Sequence, residues 1–170
     1  MIETERLILR PHVLGDLDNL YAMVANADYM KYIGGGVPAT YEEAWQRLQR
    51  FSGHWAFYPY GLFAIIEKAS GAYIGHTGLA HFHRGLGEDF DPFAEAAWGL
   101  SMDHHGKGYI TEAALAAHDA HRKTTKSART VCIIDAENEP SLRVGERLGY
   151  KAFGEAIYKE KRVIKFERAL

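Results

Sequence analysis

The chain has 170 residues, of which 47% are apolar and 25% charged, the balance of a globular protein and not of a disordered or fibrous one. A net charge of -2 provides no broad basic field, so strong nonspecific binding to nucleic acid or to anionic membranes is not predicted. Cys132 is the only cysteine, which excludes an internal disulfide, and no stretch reads as a secretion signal or membrane span, so we expect a single cytoplasmic domain over residues 1–170.

In chain order, the first half predicts a strand, two helices and a hairpin. Strand alternation covers Arg6–Arg10, helical spacing follows from Leu14 to Val24, a capped helix begins at Thr40 and continues to about Trp55, and a hairpin joins Leu62–Glu67 to Tyr73–Phe82. Glycines and a proline from Gly34 to Pro38 separate the two helices, and we expect this glycine-rich turn and the second helix to form one flap.

The second half predicts further strands and helices after a loop that we expect to be exposed and mobile. The loop is Arg84–Phe93, followed by a strand at Ala94–Met102, a helix at Gly108–Lys123, a strand at Arg129–Asp135, a helix at Pro140–Leu148 and a closing hairpin within Tyr150–Arg168. This order is neither a regular βα repeat nor an all-β pattern. It predicts a mixed α/β protein of the α+β class, with helices on the faces of a mixed sheet.

A Gly-Lys-Gly turn links the predicted strand that ends near Leu100 to the helix that begins near Gly108. Free amides and the positive end of the helix dipole would meet there, so the turn is either an anion site or a plain tight turn. A nucleotide-binding P-loop is excluded, because Ser101 and Gly108 occupy its required glycine and hydroxyl positions. A dinucleotide fingerprint lacks its third glycine.

The segments 95–100 and 106–113, with Asn138-Glu139-Pro140-Ser141 and Leu148-Gly149-Tyr150, resemble the GNAT N-acetyltransferase superfamily. Glu5–Arg10 and Tyr73-Ile74-Gly75 add a resemblance to its ribosomal-protein N-acetyltransferase subgroup. The resemblance implies the GNAT acyl-CoA N-acyltransferase fold, a central twisted mixed sheet flanked by helices. It also implies acetyl-CoA as co-substrate and an amine as acceptor.

The resemblance assigns cofactor-binding roles mainly to the backbone. Leu100 would pair with the pantetheine arm, and the pyrophosphate would meet the amides of His105, Gly106, Lys107, Gly108, Tyr109 and Ile110. His105 and Ile110 depart from the family pattern, which has Arg or Gln and Gly or Ala there. Asn138 matches a cofactor-binding asparagine, but it could equally cap the following helix.

Acetyl transfer needs a neutral amine, a donor for the oxyanion and a proton for the departing thiolate. The family tyrosine that often supplies this proton corresponds to Gly145, so we assign the acid role to Ser141, whose alternative role is that of a first-turn helix serine. Glu95 could relay a proton from the amine through water, or face solvent. Other candidate bases, each of which could instead be an ordinary polar residue, are His81, His83 and His104.

No metal site is predicted, because the histidine pairs His81/His83, His104/His105 and His118/His121 do not form a zinc signature. Two functions stay open: an acetyltransferase, and a non-catalytic module that senses acetyl-CoA. The acceptor would be a protein N-terminus, an aminoglycoside-like compound, a polyamine or another small amine. The acidic residues Glu88, Asp89 and Asp91 either attract a cationic acceptor or simply solvate their loop. The family resemblance also suggests a homodimer that pairs the final strands.

Overall fold

A computed structural model describes residues 1–170 and contains eight strands and five α-helices. The strands are β1 (Ile2–Glu3), β2 (Leu7–Pro11), β3 (Leu62–Glu67), β4 (Tyr73–Ala80), β5 (Glu95–Leu100), β6 (Arg129–Asp135), β7 (Lys151–Tyr158) and β8 (Lys161–Ala169). The helices are α1 (Leu17–Val24), α2 (Ala27–Met30), α3 (Tyr41–Phe57), α4 (Tyr109–Thr124) and α5 (Glu139–Arg147). None of these helices has both the length and the apolar character needed to cross a membrane.

All eight strands form one sheet in the order β1-β2-β3-β4-β5-β6-β8-β7. Neighbouring strands are antiparallel except β5 and β6, which run parallel. The predicted mixed sheet with flanking helices is therefore confirmed. The strands before β5 and after β6 pair as antiparallel hairpins. The parallel pair β5–β6 therefore joins two antiparallel parts of the sheet.

Helices α1 and α3 pack on one face of the sheet. Their apolar side chains, including Leu20, Leu48 and Phe51, form a cluster with Leu62 and Ala80 from the strands. The helix α3 begins where the sequence predicted, because Thr40 Oγ1 accepts from the Glu43 amide while the Glu43 carboxylate accepts from the Thr40 amide. These contacts place α3 beside the middle of the sheet.

Helix α4 packs on the opposite face. Its small residues Ala113 and Ala117 are buried against Leu7 and Leu9, the alternating apolar residues of β2. Short side chains let a helix backbone approach a sheet closely, and α4 is thereby held with its first turn next to the end of β5. The glycine turn thus lies between a buried strand and a firmly packed helix.

The loop before β5 is exposed in part, at Gly85, Gly87, Glu88, Asp89 and Pro92, but it also makes contacts that a mobile connection would lack. Phe90 is 2% exposed, and the Asp91 carboxylate accepts from the Gly85 and Gly87 amides. Asp89 is held by Lys165, with 2.7 Å between Oδ2 and Nζ. These contacts anchor the loop to the sheet, an outcome that its glycine and charge content could not indicate.

Candidate active site

The parallel strands β5 and β6 diverge immediately after they meet. Their only paired residues are Glu95 and Val131, and the Val131 amide donates to the Ala94 carbonyl at 3.1 Å. Alternate residues of a strand direct their backbone groups to opposite sides, and the Ser101 amide bonds to β4 at Ile74. The backbone groups of Trp98 and Leu100 consequently point into the gap between β5 and β6.

The Leu100 carbonyl is already engaged in this gap. The imidazole Nε2 of His105 lies 2.9 Å from it and donates to it. The His105 side chain thereby ties the end of β5 to the turn that follows. The remaining backbone groups of Trp98 and the Leu100 amide are the ones available to an extended amide ligand.

The glycine turn presents a row of unpaired amides. Gly106 and Gly108 have positive φ angles of 77° and 78°, which turn the backbone sharply into helix α4. The His105 amide donates to the Met102 carbonyl at 3.2 Å, whereas the amides of residues 106–110 make no hydrogen bond within the chain. Five successive free N–H groups at the start of a 16-residue helix offer the donors that an anion would need.

Side chains from the first strands brace this turn. Arg6 donates to the Lys107 carbonyl at 2.8 Å and to the Glu112 carboxylate at 2.7 Å, and its guanidinium lies 4.5 Å from the Tyr109 ring centre. The Tyr109 hydroxyl donates to Glu67 at 2.6 Å. The sequence analysis missed Arg6 and Glu112 as positioning residues, because only the fold brings residues 106 positions apart into contact.

Lys107 and Ile110 occupy different environments within the turn. The Lys107 side chain is exposed and forms no ion pair, whereas Ile110 packs partly against the cluster beneath α4. A phosphate at the free amides would therefore have the unpaired Lys107 near it, in addition to Arg6, whose charge is shared with Glu112. The contribution of Lys107 would be electrostatic and that of Ile110 structural.

A cavity of about 300 Å³ lies where β5 and β6 diverge, and the remaining candidate residues line it. Glu95, Asn138 and Ser141 all line it, although the three residues come from β5 and from the start of α5. The turn residues 105–110 do not line it. The candidate residues thus form two groups. One is the row of free amides at the glycine turn, and the other is the set of side chains that line the cavity where β5 and β6 diverge.

Glu95 is the buried acid of this cavity. It is 4% exposed, and its Oε2 lies 2.7 Å from Arg84 Nε. Burial raises the pKa of Glu95 above the ordinary value of a carboxylic acid, in spite of the opposing effect of the Arg84 guanidinium. Of the two readings given by the sequence, the solvent-facing one is wrong, and a buried carboxyl with a raised pKa is suited to accepting a proton.

Asn138 and Ser141 meet at the first turn of α5. The Asn138 side-chain oxygen accepts from the Ser141 amide at 3.2 Å. Asn138 therefore caps the helix, which is one of the two roles predicted for it. The Ser141 hydroxyl has no hydrogen-bond partner within the chain. Gly145, at the position of the family tyrosine, is buried, and a Cβ atom there would lie 3.1 Å from Ile134 Cδ1.

The histidines proposed as bases do not line the cavity, whereas a different histidine does. His81 contacts the Tyr60 hydroxyl, and His104 contacts Ser101, in both cases within 3.0 Å. His76 from β4 lines the cavity and is 7% exposed, and burial lowers its pKa to about 3. Its position in an otherwise apolar strand was the one sequence signal that could have identified it.

Two further groups that the sequence analysis considered have structural partners. His118 contacts the Ala114 carbonyl and the Tyr150 hydroxyl, and no group of three or more histidine, cysteine or acidic side chains is arranged to hold a metal ion. Among the loop acids, Asp89 and Asp91 bind within the chain and Glu88 is exposed. These three acids do not line the cavity, although Arg84 of the same loop does.

Comparison with known proteins gives one consistent result. The profile of the family described as "Acetyltransferase (GNAT) domain" matches residues 6–151. An uncharacterised N-acetyltransferase, YnaD, of Bacillus subtilis (strain 168) is 29% identical over 153 residues, covering 90% of this chain and 84% of YnaD.

Solved structures are similar over nearly the whole chain. A GNAT-family acetyltransferase from Bordetella pertussis has a TM-score of 0.85 and 32% identity, covering 99% of this chain and 98% of that one. An acetyltransferase from Agrobacterium tumefaciens str. C58 has a TM-score of 0.83 and 28% identity, covering 98% and 92%. The fold and the sequence resemblance therefore agree.

Proposed function

The chain belongs to the GNAT acetyltransferase family, and we propose that it transfers the acetyl group of acetyl-CoA to a primary amine by direct attack in a ternary complex. The observation that carries this proposal is the row of five free amides at residues 106–110. Such a row suits a pyrophosphate, which needs several donors aimed at one point.

The residues of the gap fit the rest of the co-substrate. The free backbone groups of Trp98 and the Leu100 amide can bond to the amides of a pantetheine arm, as a third strand would. An arm bound along β5 from the turn would direct its thioester towards Ser141 and Asn138, which line the cavity. The turn would hold the charged end, and the cavity would receive the acceptor.

The proposed chemistry uses two side chains of this cavity. The amine nitrogen attacks the thioester carbonyl carbon, a C–N bond forms and the C–S bond breaks. Glu95 takes the proton that the amine loses, through water, because its raised pKa makes it a better base than an ordinary carboxylate. The unpartnered Ser141 hydroxyl passes a proton to the departing thiolate while it takes one from water, and Glu95 returns the proton of the amine to solvent, so that one proton moves in net terms from the amine to the thiol.

Calorimetric titration with acetyl-CoA tests the anion site. We compare the wild type with Gly108→Asp and Gly108→Asn, two side chains of equal size that tolerate a positive φ similarly and differ in charge. We expect Gly108→Asp to weaken binding at least tenfold more than Gly108→Asn, because its carboxylate repels phosphate. Absence of wild-type binding, or equal loss in both variants, would contradict the proposed site.

Turnover separates the enzyme from a sensor. Release of free CoA thiol in the presence of an amine panel, with acetylated product identified by mass spectrometry, would exclude a module that only binds acetyl-CoA. Tight binding without any product would instead support the sensor.

A further inference from the structure

The cavity that contains Glu95 has an excess of positive charge in a chain whose net charge is -2. Five basic side chains line it, Arg47, Arg50, Arg84, Lys159 and Lys161, against two acidic ones, Glu95 and Asp135. Both acids are already paired: Glu95 with Arg84 at 2.7 Å, and Asp135 with Lys161 at 3.7 Å. Three cations, Arg47, Arg50 and Lys159, are left without an acidic partner.

The same three cations line a second cavity of about 230 Å³ that adjoins the first. The only acid in its wall is Glu43. The Glu43 carboxylate is occupied by the amide and hydroxyl of Thr40 at the start of α3, at 2.7 and 3.2 Å. Arg47, Arg50 and Lys159 therefore lie where the two cavities meet, and Glu43, which attracts Arg47 and Lys159 without forming an ion pair, is the one acid left to offset three positive charges.

Two of these cations come from α3 and one from the turn between β7 and β8, and the segment at Gly34 packs beside Arg47. Arg47 and Arg50 are one turn apart on α3, and the Arg47 guanidinium lies against the backbone of Gly34, where a Cβ atom would be 3.6 Å from Nη2. Lys159 occupies the tight turn between β7 and β8, in which Lys159 and Glu160 both have positive φ angles of 48° and 64°. The three charges thus border one space from two sides of the cavity, with Arg47 half-buried and Arg50 and Lys159 exposed at its edge.

Keeping these cations together is unfavourable in the absence of a ligand. Burial lowers the pKa of Arg50, and repulsion from Arg47 and Arg84 lowers it further. An anion would reverse this repulsion and accept paired hydrogen bonds from a guanidinium, a geometry that suits carboxylates and phosphates.

We propose that the acetyl acceptor carries an anionic group, a carboxylate or a phosphate, close to its amine, and that Arg47 and Arg50 bind this group, with Lys159 adding charge. This inference rests on the proposed function and names its substrate class. Polycationic acceptors such as polyamines and aminoglycosides are disfavoured, because they would meet a cluster with an excess of like charge. The acidic loop residues do not compensate, since they lie outside the cavity wall.

Matched acceptor pairs test the proposal by thiol release with saturating acetyl-CoA. One pair is alanine and alaninamide, the other O-phosphoethanolamine and ethanolamine, with spermidine as the cationic acceptor and rates corrected for the fraction of neutral amine. We expect kcat/KM to be at least tenfold higher for the anionic member of one pair, and the pair that responds identifies carboxylate or phosphate.

Charge-removing variants assign the effect to the cluster. Arg47→Gln and Arg50→Gln should each lower kcat/KM for the anionic acceptor about tenfold and change that for its uncharged partner less than twofold. Arg122→Gln removes the same charge from an exposed site at the end of α4 and should change neither. Lys159→Gln, on an exposed turn, provides a second test if an α3 variant fails to fold.

The outcomes separate the two proposals. Equal or better turnover of uncharged or cationic amines by the wild type overturns the anionic acceptor and leaves acetyl transfer intact. The same holds if the charge-removing variants lose both acceptors equally. Failure to bind acetyl-CoA, or binding without turnover of any amine, overturns the proposed function and this inference with it.

Discussion

At the scale of single residues, the proposed proton-accepting role of Glu95 can be tested directly. We expect Glu95→Gln to lower kcat about 10²-fold, within the usual contribution of a general base, with little change in the KM for acetyl-CoA. Because burial raises the pKa of Glu95, wild-type activity, corrected for the fraction of neutral amine, should fall with acidification at a pH above the ordinary carboxylate range, and this acid limb should be absent in the variant. A pH–rate profile from pH 4 to 9 measures both.

The control for this variant is Glu88→Gln, which removes an exposed carboxylate from the loop before β5 and should leave the profile unchanged. An acid limb that persists in Glu95→Gln would assign the titration to another group. Of the alternatives, His76 lines the cavity, but burial lowers its pKa to about 3, so it could not produce a limb above that of an ordinary carboxylate.

Close packing beside the cavity depends on Gly99. A Cβ atom at this position would lie 2.0 Å from the Tyr29 hydroxyl and 3.1 Å from His76 Nε2, two residues of the cavity wall. We expect Gly99→Ala to lower the free energy of unfolding by about 1–3 kcal/mol, as overpacked substitutions do, and to reduce turnover by displacing Tyr29. Urea unfolding and thiol release measure the two effects.

Gly53→Ala is the matched substitution. Gly53 lies inside α3, and a Cβ atom there would have no neighbour within 4 Å. It should raise the free energy of unfolding by about 0.5–1 kcal/mol, because alanine loses less conformational freedom than glycine in a helix. If both alanines had the same effect, the contact with Tyr29 would not be the reason that position 99 lacks a side chain.

At the scale of elements, local patterns were sufficient for most boundaries. The helix predicted from Thr40 to about Trp55 is α3, Tyr41–Phe57, and the strand predicted at Arg129–Asp135 is β6 without change. A capping box and a short apolar run with β-branched residues depend only on neighbouring residues, and both are visible in the sequence. The short helix α2, Ala27–Met30, was missed because four residues give too little periodicity to recognise.

The wall of the cavity could not be predicted in the same way. In the sequence, Arg47 and Arg50 resemble ordinary solvent-facing residues of an amphipathic helix. The Gly34 segment and the β7–β8 turn convert that face into a cavity wall, and both come from distant parts of the chain. The glycine turn was predictable because its strand, turn and helix are contiguous, whereas the acceptor side is assembled by tertiary contacts.

The start of α3 offers a test of an element. The Thr40 hydroxyl accepts from the Glu43 amide at 3.2 Å, so Thr40→Ala should lower the free energy of unfolding by about 1 kcal/mol. Ser52→Ala in the same helix has an exposed side chain without a hydrogen bond and should be neutral or slightly stabilising. Equal denaturation midpoints for the two variants in urea would show that the cap does not hold α3 in place.

At the scale of the whole molecule, four buried histidines link folding to pH. Burial lowers the pKa of His12, His118 and His121 to about 4 and that of His76 to about 3, against about 6.5 in an unfolded chain. At a pH between its folded and unfolded pKa values, each of these histidines is protonated in the unfolded chain and neutral in the folded protein. Their contribution to stability is thus complete above pH 6.5 and is lost as the pH falls towards 4.

We therefore predict that unfolding near pH 5 takes up three to four protons. The four histidines take up nearly one proton each, and Glu95, whose pKa is raised in the folded protein, offsets part of this by releasing a proton. The free energy of unfolding should then fall by about 4–5 kcal/mol per pH unit in this range, measured from urea curves at closely spaced pH values. A free energy that stays flat from pH 7 to 5 would contradict this account.

One of the protons taken up on unfolding can be assigned to His121. Both of its ring nitrogens lack a hydrogen-bond partner, and the residue lines a cavity of about 30 Å³ beside Tyr60. His121→Phe keeps the edge-on contact with Tyr60, whose ring centre is 4.4 Å away, and removes the unsatisfied nitrogens. We expect it to maintain or raise stability at pH 7 and to reduce the proton uptake by about one, since phenylalanine cannot be protonated in the unfolded chain. An unchanged uptake would mean that His121 is already protonated in the folded protein, and that the acid sensitivity comes from the other three histidines.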